Sequence, residues 1–441
     1  MTKKKQTKIS IWDAKNKLSY NEPLLPNDPM FVDTSNARGD FSLDRLYRGL
    51  HIDKKGQLQN PPQKQYVLFT GHRGCGKSTE LLRVTDFLHD PERFYVVHLD
   101  CLKKLDINNL KYSDVLLALA AELLLKLKNE NDISIESVHL TRLENWFKER
   151  VETHTKTKDM SLEIRAGAKI KTGLPWLVEL FTELTSKVNI GSTYREELRN
   201  VVRNSYSEFA EAFNQLIRVV EDKIGEKNLG KRVLFTIDGT DRLNSDDAPQ
   251  FFVTNVHQLT LISSLFIYCA PIHLLHADNQ LNANYSQIFR LPMLKIRNKE
   301  NEKIEENYKV MREMVSHRVP EYLFDSNETI DYLICHSGGH LRDLVRLLNV
   351  SINFAENEII DKSSSKKAVK QVANEYRRFI SRSQYSLLVK IDQSPEVPDD
   401  FTGKETSEML YNLVLLEYND YFWKSHPVIE TLEGYKKALD S

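Results

Sequence analysis

The stretch YVLFTGHRGCGKST, residues 66–79, joins a strand pattern to a glycine-rich turn and a helix start. Tyr66, Val67, Leu68 and Phe69 are strand formers. Gly71-His72-Arg73-Gly74-Cys75-Gly76-Lys77-Ser78 matches G-x-x-x-x-G-K-[ST] in full, and Leu81, Leu82, Val84, Phe87 and Leu88 follow at helical spacing. Glycines let a backbone come close to phosphate, so that its N–H groups and the following helix N-terminus can hold the anion. In such a loop the Lys77 ammonium reaches the β- and γ-phosphates and the Ser78 hydroxyl ligates Mg²⁺. Gly71, Gly74, Cys75, Gly76, Lys77, Ser78 and Thr79 are therefore expected to hold a nucleoside triphosphate with Mg²⁺. The motif alone does not choose between ATP and GTP.

Around this loop the composition is ordinary. The 441 residues suffice for two or three domains and a large core, and 28% charged with 41% hydrophobic residues is typical of soluble globular chains. A net charge of −1 gives no bulk pull toward nucleic acid or acidic lipid. The richest apolar run, Val115–Leu125, is broken by Glu122, so no membrane span is expected. MTKKKQTKISIW lacks the apolar centre of a secretion signal. Cys75, Cys101, Cys269 and Cys335 are scattered without C-x-x-C spacing, which argues for a reducing cytoplasm and against both a disulfide framework and a zinc site.

In chain order, residues 1–30, with Pro23, Pro26 and Pro29, read as an N-terminal arm, and 31–298 as a P-loop core. Leu43, Leu46, Tyr47 and Leu50 mark a short amphipathic helix. Arg93–Asp100, Arg232–Asp238 and Phe266–Pro271 read as buried strands beside the P-loop strand, and DVLLALAAELLLKLK, residues 114–128, as an apolar helix capped by Ser113. Strand–helix alternation of this kind implies an α/β fold with a parallel sheet. Residues 129–230 interrupt it as a mainly helical insertion. Within it, Leu162–Ile170 alternates like a strand, Pro175–Leu184 is an apolar helix that either packs on its own domain or docks a partner, and Thr193–Glu196 opens a long helix toward Ile224. Helices dominate from 299 to 384, over Glu302–Arg318, Ile330–Cys335, His340–Asn357 and Lys366–Gln384. In 385–441, Asn419-Asp420 between LLEY and YFWK indicates a hairpin, and helix, helix, hairpin is the pattern of a winged helix.

Hydrolysis also needs an acid for the metal and a group that orients water. Asp238 ends the buried strand in VLFTIDGTDRL, at the strand edge where nucleotide sits in open α/β sheets. Gly239 follows where many ATPases carry glutamate. The nearest acid is Asp241, which either orients water or pairs with Arg242 in a turn. In HSGGHLRDLVRLL, Arg342 stands in the first turn of a helix, against its dipole, and is a candidate γ-phosphate contact or else a surface arginine paired with Asp343. Arg290, in YSQIFRLP, ends a helical segment and is a candidate arginine finger or a solvated arginine. His273 and His276 follow a strand and are weaker candidates for sensing phosphate. Cys75 is either an oxidisable thiol or a small residue that fits.

GHRGCGKST, VLFTIDGTDRL and SGGHLRDLVRLL together resemble the AAA+ superfamily, nearest in look to STAND-type and replication-initiator-like ATPases. The resemblance spans residues 31–441 apart from the insertion. It implies ATP with Mg²⁺, a Walker A role for Lys77 and Ser78, a metal role for Asp238, a sensor-2 role for Arg342, a helical lid and a C-terminal winged helix. It also implies nucleotide-dependent homo-oligomerisation, and members of this kind often serve in bacterial anti-phage defence. Three functions are weighed. The first is an ATPase switch that engages a protein partner. The second is a DNA-binding initiator or loader. The third is a non-hydrolysing scaffold. The recognition-helix candidate Glu405–Leu413 is acidic and lacks Arg and Lys, and the wing offers Tyr418, Tyr421, Phe422 and Trp423 with only Lys424, so a protein partner is favoured over DNA.

Overall fold

The computed structural model describes residues 8–129, 133, 135–152, 173–190, 192–277, 281–394, 403–419 and 422–440. Two compact units divide the chain. One gathers Leu43–Thr70 and Leu81–Phe289, and the other gathers Met1–Ser42, Gly71–Glu80 and Arg290–Ser441.

The first unit is built on a five-stranded sheet of β1 (Gln65–Gly71), β2 (Phe94–Asp100), β3 (Arg232–Asp238), β4 (Leu265–Pro271) and β5 (Gln287–Arg290), in the order β2-β3-β4-β1-β5. β2 and β3 run parallel from Phe94 opposite Arg232 to Asp100 opposite Asp238, and β3 and β4 run parallel as well. β1 and β4 are buried along their whole length, which is why they read as unbroken apolar runs. The strand that enters the P-loop is separated by one strand from the acid-tipped β3. This is an α/β P-loop NTPase fold, as the sequence indicated.

The fifth strand corrects the sequence reading. Gln287–Arg290 is an edge strand and not the end of a helical segment. Phe289 stacks on Phe69 of β1 at 5.6 Å, and the Ser286 N–H donates to Tyr66 O at 2.9 Å. Pairing with β1 settles a segment too short for periodicity to decide.

One core joins the sheet residues Tyr66, Leu68, Val97, Phe235 and Phe266 to the helix Tyr112–Asn129 and to the insertion. Ser113 does not cap that helix. It lies inside it, and the Asp114 carboxylate accepts from Lys111 N at 3.0 Å instead. The described part of the insertion is helical, over Ser137–Trp146, Leu174–Ile190, Ser192–Asn204 and Tyr206–Glu226. Leu177, Phe181 and Leu184 are fully buried, and their helix packs along Tyr112–Asn129, on its own unit. The single helix expected from Thr193 toward Ile224 is broken at Ser205, whose hydroxyl donates to Val201 O at 2.8 Å and accepts from Trp146 Nε1 at 3.0 Å. A serine that bonds back into its own helix competes with the helical ladder. The strand expected at Leu162–Ile170 lies outside the described residues.

The second unit contains the P-loop itself. Gly71–Glu80 groups with the N-terminal segment and with everything from Arg290 onward. Helices Glu305–Ser316, Asn327–Ser337, Leu341–Phe354 and Lys362–Tyr376 follow. The continuous helix expected over Lys366–Gln384 ends at Tyr376, and a new helix, Arg382–Gln393, starts after Ser381. The Gln384 N–H donates to the Ser381 hydroxyl at 3.3 Å and the Ser381 N–H to the Gln384 side chain at 2.9 Å, a capping box that restarts the ladder. Lys404–Tyr411 then leads to the antiparallel hairpin of β6 (Leu415–Glu417) and β7 (Trp423–Ser425), and to Glu433–Leu439. The expected turn keeps Asn419, while Asp420 and Tyr421 lie outside the described residues. Among the described residues no helix is long and apolar enough to cross a membrane.

Candidate nucleotide-binding site

Every carbonyl from Gly71 to Cys75 is engaged within the second unit. Lys77 Nζ donates to Gly71 O and His72 O at 2.8 Å each, and the Cys75 N–H donates to His72 O at 3.2 Å. His340 Nε2 meets Arg73 O at 2.6 Å, the Arg342 N–H donates to Gly74 O at 3.2 Å, and Arg38 Nη2 donates to Cys75 O at 2.9 Å. In a trans peptide the next N–H points away from the carbonyl. Holding Arg73 O and Cys75 O therefore turns the N–H groups of Gly74 and Gly76 the opposite way, which is how a backbone nest for phosphate is made. Gly74 (φ +90°) and Gly76 (φ +103°) occupy the left-handed region where a side chain is strained. A Cβ on Gly74 would also lie 2.7 Å from His340 Nε2.

Of the other expected loop residues, Ser78 is half-buried. The Thr79 hydroxyl accepts from Leu24 N at 3.1 Å, which ties the N-terminal segment to the loop. Cys75 is fully buried, with Sγ 4.0 Å from Leu291 O, and so serves packing and not redox chemistry.

Arg38 escaped the sequence reading. It is 1% exposed, and besides Cys75 O it holds the Thr34 hydroxyl through Nε at 3.1 Å and Pro292 O through Nη1. Burial lowers its pKa while Cys75 and Glu80 oppose the shift. An arginine in an unremarkable stretch, NARGD, carries no periodic or motif pattern that would single it out.

Arg342 stands in the first turn of Leu341–Phe354, and its backbone and Cβ abut the loop at Gly74. Asp343, its expected alternative partner, is turned instead into a buried cluster. Asp343 Oδ2 lies 3.3 Å from His340 Nδ1 and 2.9 Å from His426 Nε2, and it accepts from Tyr376 OH at 2.5 Å. Burial works to raise the Asp343 pKa. His340 and His426 outweigh it and hold the carboxyl well below the usual range.

Arg290 forms an ion pair with Glu417 of β6, whose side chain is 2% exposed. The Glu417 N–H in turn donates to His72 Nε2 at 2.7 Å, so the hairpin is bonded directly to the P-loop. Arg73 places its guanidinium over the Tyr411 ring at 5.6 Å. The residue proposed as a finger is thus held by an acid of the same chain.

In the first unit, Asp238 ends β3 and is buried, and one of its oxygens accepts from the Gly239 N–H at 2.8 Å. Gly239 (φ +86°) makes the turn, and a Cβ there would lie 2.9 Å from Leu102 Cγ. Asp241 follows, half-buried, in a single turn, Thr240–Arg242. Asp100 stands opposite Asp238 in the register. The acids gathered at this edge leave their mark on nearby groups. Burial pushes the Cys101 thiol well up, and Asp238, Asp100 and Asp241 push it further. Burial holds His98 below its ordinary value, with Asp238 and Asp100 opposing. His273 is buried and His276 half-buried just beyond β4.

No protein-family model matches the chain, and no curated protein matches it. Two of the solved structures that are similar to it are a Walker-type ATPase and Cdc6p. The Walker-type ATPase PABY2304 of Pyrococcus abyssi is 14% identical, with 94% of this chain and 100% of that one covered at a TM-score of 0.38. Cdc6p from Pyrobaculum aerophilum is 11% identical, with 93% and 98% covered at a TM-score of 0.34.

Proposed function

We propose that the chain is an ATP-binding and ATP-hydrolysing switch of AAA+ type that assembles or engages a protein partner in response to nucleotide. The observation that carries this reading is the P-loop whose carbonyls are held one by one by the N-terminal segment, the lid helix and its own lysine. Such holding presets the loop for an anion, and it joins the phosphate cradle to the segments that would report its occupancy. Mg²⁺, when bound, neutralises charge on the phosphate oxygens, and Ser78 and Asp238 are the residues that would hold it. Lys77 would contact the β- and γ-phosphates, Arg342 the γ-phosphate, and Asp241 would orient the attacking water. With no glutamate after Asp238, slow turnover is expected.

Support for a protein partner rather than DNA comes from the C-terminal helix Lys404–Tyr411. Its sequence KETSEMLY sets one lysine against two glutamates, a net negative charge that disfavours phosphate contacts. Homo-oligomerisation and a place in anti-phage defence rest on the resemblance alone.

The test is nucleotide binding and phosphate release. Lys77→Ala is expected to abolish ATP binding in equilibrium dialysis with the C-terminal helices still folded by circular dichroism. Asp241→Asn is expected to keep ATP and lose turnover, by roughly 10²-fold or more. Unchanged affinity in the first variant would sink the binding reading, and wild-type phosphate release in the second would remove Asp241 from its role.

A further inference from the structure

We propose that three consecutive residues of the C-terminal hairpin, Glu417, Tyr418 and Asn419, position the phosphate cradle, so that nucleotide binding and hairpin docking are linked. The proposal deepens, and rests on, the reading of the P-loop as a nucleotide site. Each of the three bonds to a different segment of the second unit. The Glu417 N–H donates to His72 Nε2 at 2.7 Å, on the loop itself. Tyr418 OH donates to Gly338 O at 2.6 Å, in the turn before the helix Leu341–Phe354. Asn419 Nδ2 donates to Arg38 O at 2.7 Å, in the N-terminal segment.

The other two anchors adjoin groups that grip the loop. Arg38 Nη2 holds Cys75 O at 2.9 Å, and His340, just beyond Gly338, meets Arg73 O at 2.6 Å. The peptides so held aim the N–H groups of Gly74 and Gly76, so the hairpin acts on the cradle through both grips. Its edge is ordered for the task. Tyr418 is buried, its ring stacks on Phe422 at 5.0 Å, and its N–H donates to Phe422 O at 2.8 Å. A Cβ on Gly338 would lie 2.7 Å from Pro427 Cδ, and one on Gly39 would meet the Asn419 amide, so bare backbone is what lets both segments come this close. The Arg73 guanidinium over the Tyr411 ring ties the loop to the helix that leads into the hairpin.

Docking and nucleotide therefore act on the same peptides. A triphosphate is held by the Gly74 and Gly76 N–H groups only while their peptides stay turned toward it, and the docked hairpin maintains that arrangement. An undocked hairpin leaves Arg38 O and Gly338 O to water and lets both grips drift. The linkage is reciprocal, so nucleotide that favours the docked state also holds the hairpin down. Glu417, Tyr418 and Asn419 act on nucleotide only through the groups they bond, and are positioning residues.

The experiment uses the full chain and compares wild type, Tyr418→Phe, Asn419→Ala, the double variant and Tyr435→Phe. Tyr435 OH donates to Asp392 Oδ2 at 2.6 Å in the same C-terminal region, so its loss controls for stability alone. ATP affinity is measured by equilibrium dialysis, folding by thermal melt, and hairpin docking by amide hydrogen exchange across 413–419 with and without ATP and Mg²⁺. Each single hairpin change is expected to weaken ATP binding about three- to tenfold, and the double change about tenfold or more. Tyr435→Phe is expected to lower the melting temperature and to leave ATP affinity within about twofold of wild type. ATP is expected to slow exchange across 413–419 in wild type, and to slow it less in the double variant. A double variant that binds ATP like wild type, an affinity loss matched by Tyr435→Phe, or exchange untouched by ATP overturns the proposal. If the double variant does not fold, the single variants and the wild-type exchange decide. If Lys77→Ala binds ATP like wild type, the site reading fails first and takes the proposal with it. With Lys77→Ala unable to bind, a failure of the hairpin variants to weaken ATP binding counts against the proposal alone.

Discussion

At the scale of single residues, Arg38 and Arg290 show how one side chain fixes what the loop can do. Arg38 spreads three contacts over Thr34, Cys75 and Pro292. Its planar fork suits that task and a lysine's point charge does not. Arg38→Ala leaves buried acceptors without a donor. It is expected to cost about 2 kcal/mol of stability or more and to weaken ATP binding about tenfold or more, read by thermal melt and dialysis. Arg38→Lys that matches wild type in both would refute the fork argument. Arg290 is decided by a double-mutant cycle. Removing it leaves the Glu417 carboxylate buried, so Arg290→Ala is expected to destabilise by about 2 kcal/mol, less than a fully buried pair because the arginine is partly exposed, with Glu417→Gln restoring part of the loss. A finger would behave otherwise, leaving stability intact while turnover falls by about 10³–10⁵. The loop residues were legible because the G-x-x-x-x-G-K-[ST] pattern has a fixed spacing. Arg38 and His340 were not, because what they touch is distant in sequence.

Among elements, the insertion is tied to the sheet unit by more than apolar contact. Asp114, in the helix Tyr112–Asn129, pairs with Arg199 of Ser192–Asn204, with side chains 2% and 8% exposed. Breaking one side of such a pair strands the other charge. Arg199→Ala is expected to cost about 3–5 kcal/mol by denaturant titration, and Asp114→Asn added to it to recover part. A loss within about 0.5 kcal/mol would show that the carboxylate finds water or another donor. Four strands were legible as apolar runs, since burial on both faces leaves no alternation. β5 was not, because its four residues hold their place through Phe289 on Phe69. The helix breaks at Ser205 and Ser381 escaped for a related reason. Apolar spacing continues across them, and only side-chain bonds to the backbone show the restart.

For the whole molecule, the P-loop shares a unit with the helices from Glu305–Ser316 to Lys362–Tyr376 and with the C-terminal hairpin, through His72 to Glu417 and His340 to Arg73. Nucleotide is therefore expected to change assembly. Light scattering should show a larger particle with ATP than without, and no such change in Lys77→Ala. Equal particle sizes for wild type in both conditions would favour the monomeric scaffold. Acid should loosen this unit by a separate route. The Asp343 pKa is depressed in the fold, so its contribution is complete above the unfolded carboxylate value of about 3.9 and is lost as pH falls through the folded one. Asp343→Asn should flatten that part of an acid unfolding curve.

Local spacing alone marked the glycine-rich loop, the acid that ends β3, the parallel α/β class and the later order of helices and hairpin. Each follows from spacing along a strand, a turn or a helix, which covalent geometry sets within a few residues. The packing of the whole chain sets which groups grip the loop's carbonyls and pairs Arg290 with Glu417. Most of those outcomes depend on side chains from 37 to 267 residues apart meeting in a buried interior, and no local pattern records them.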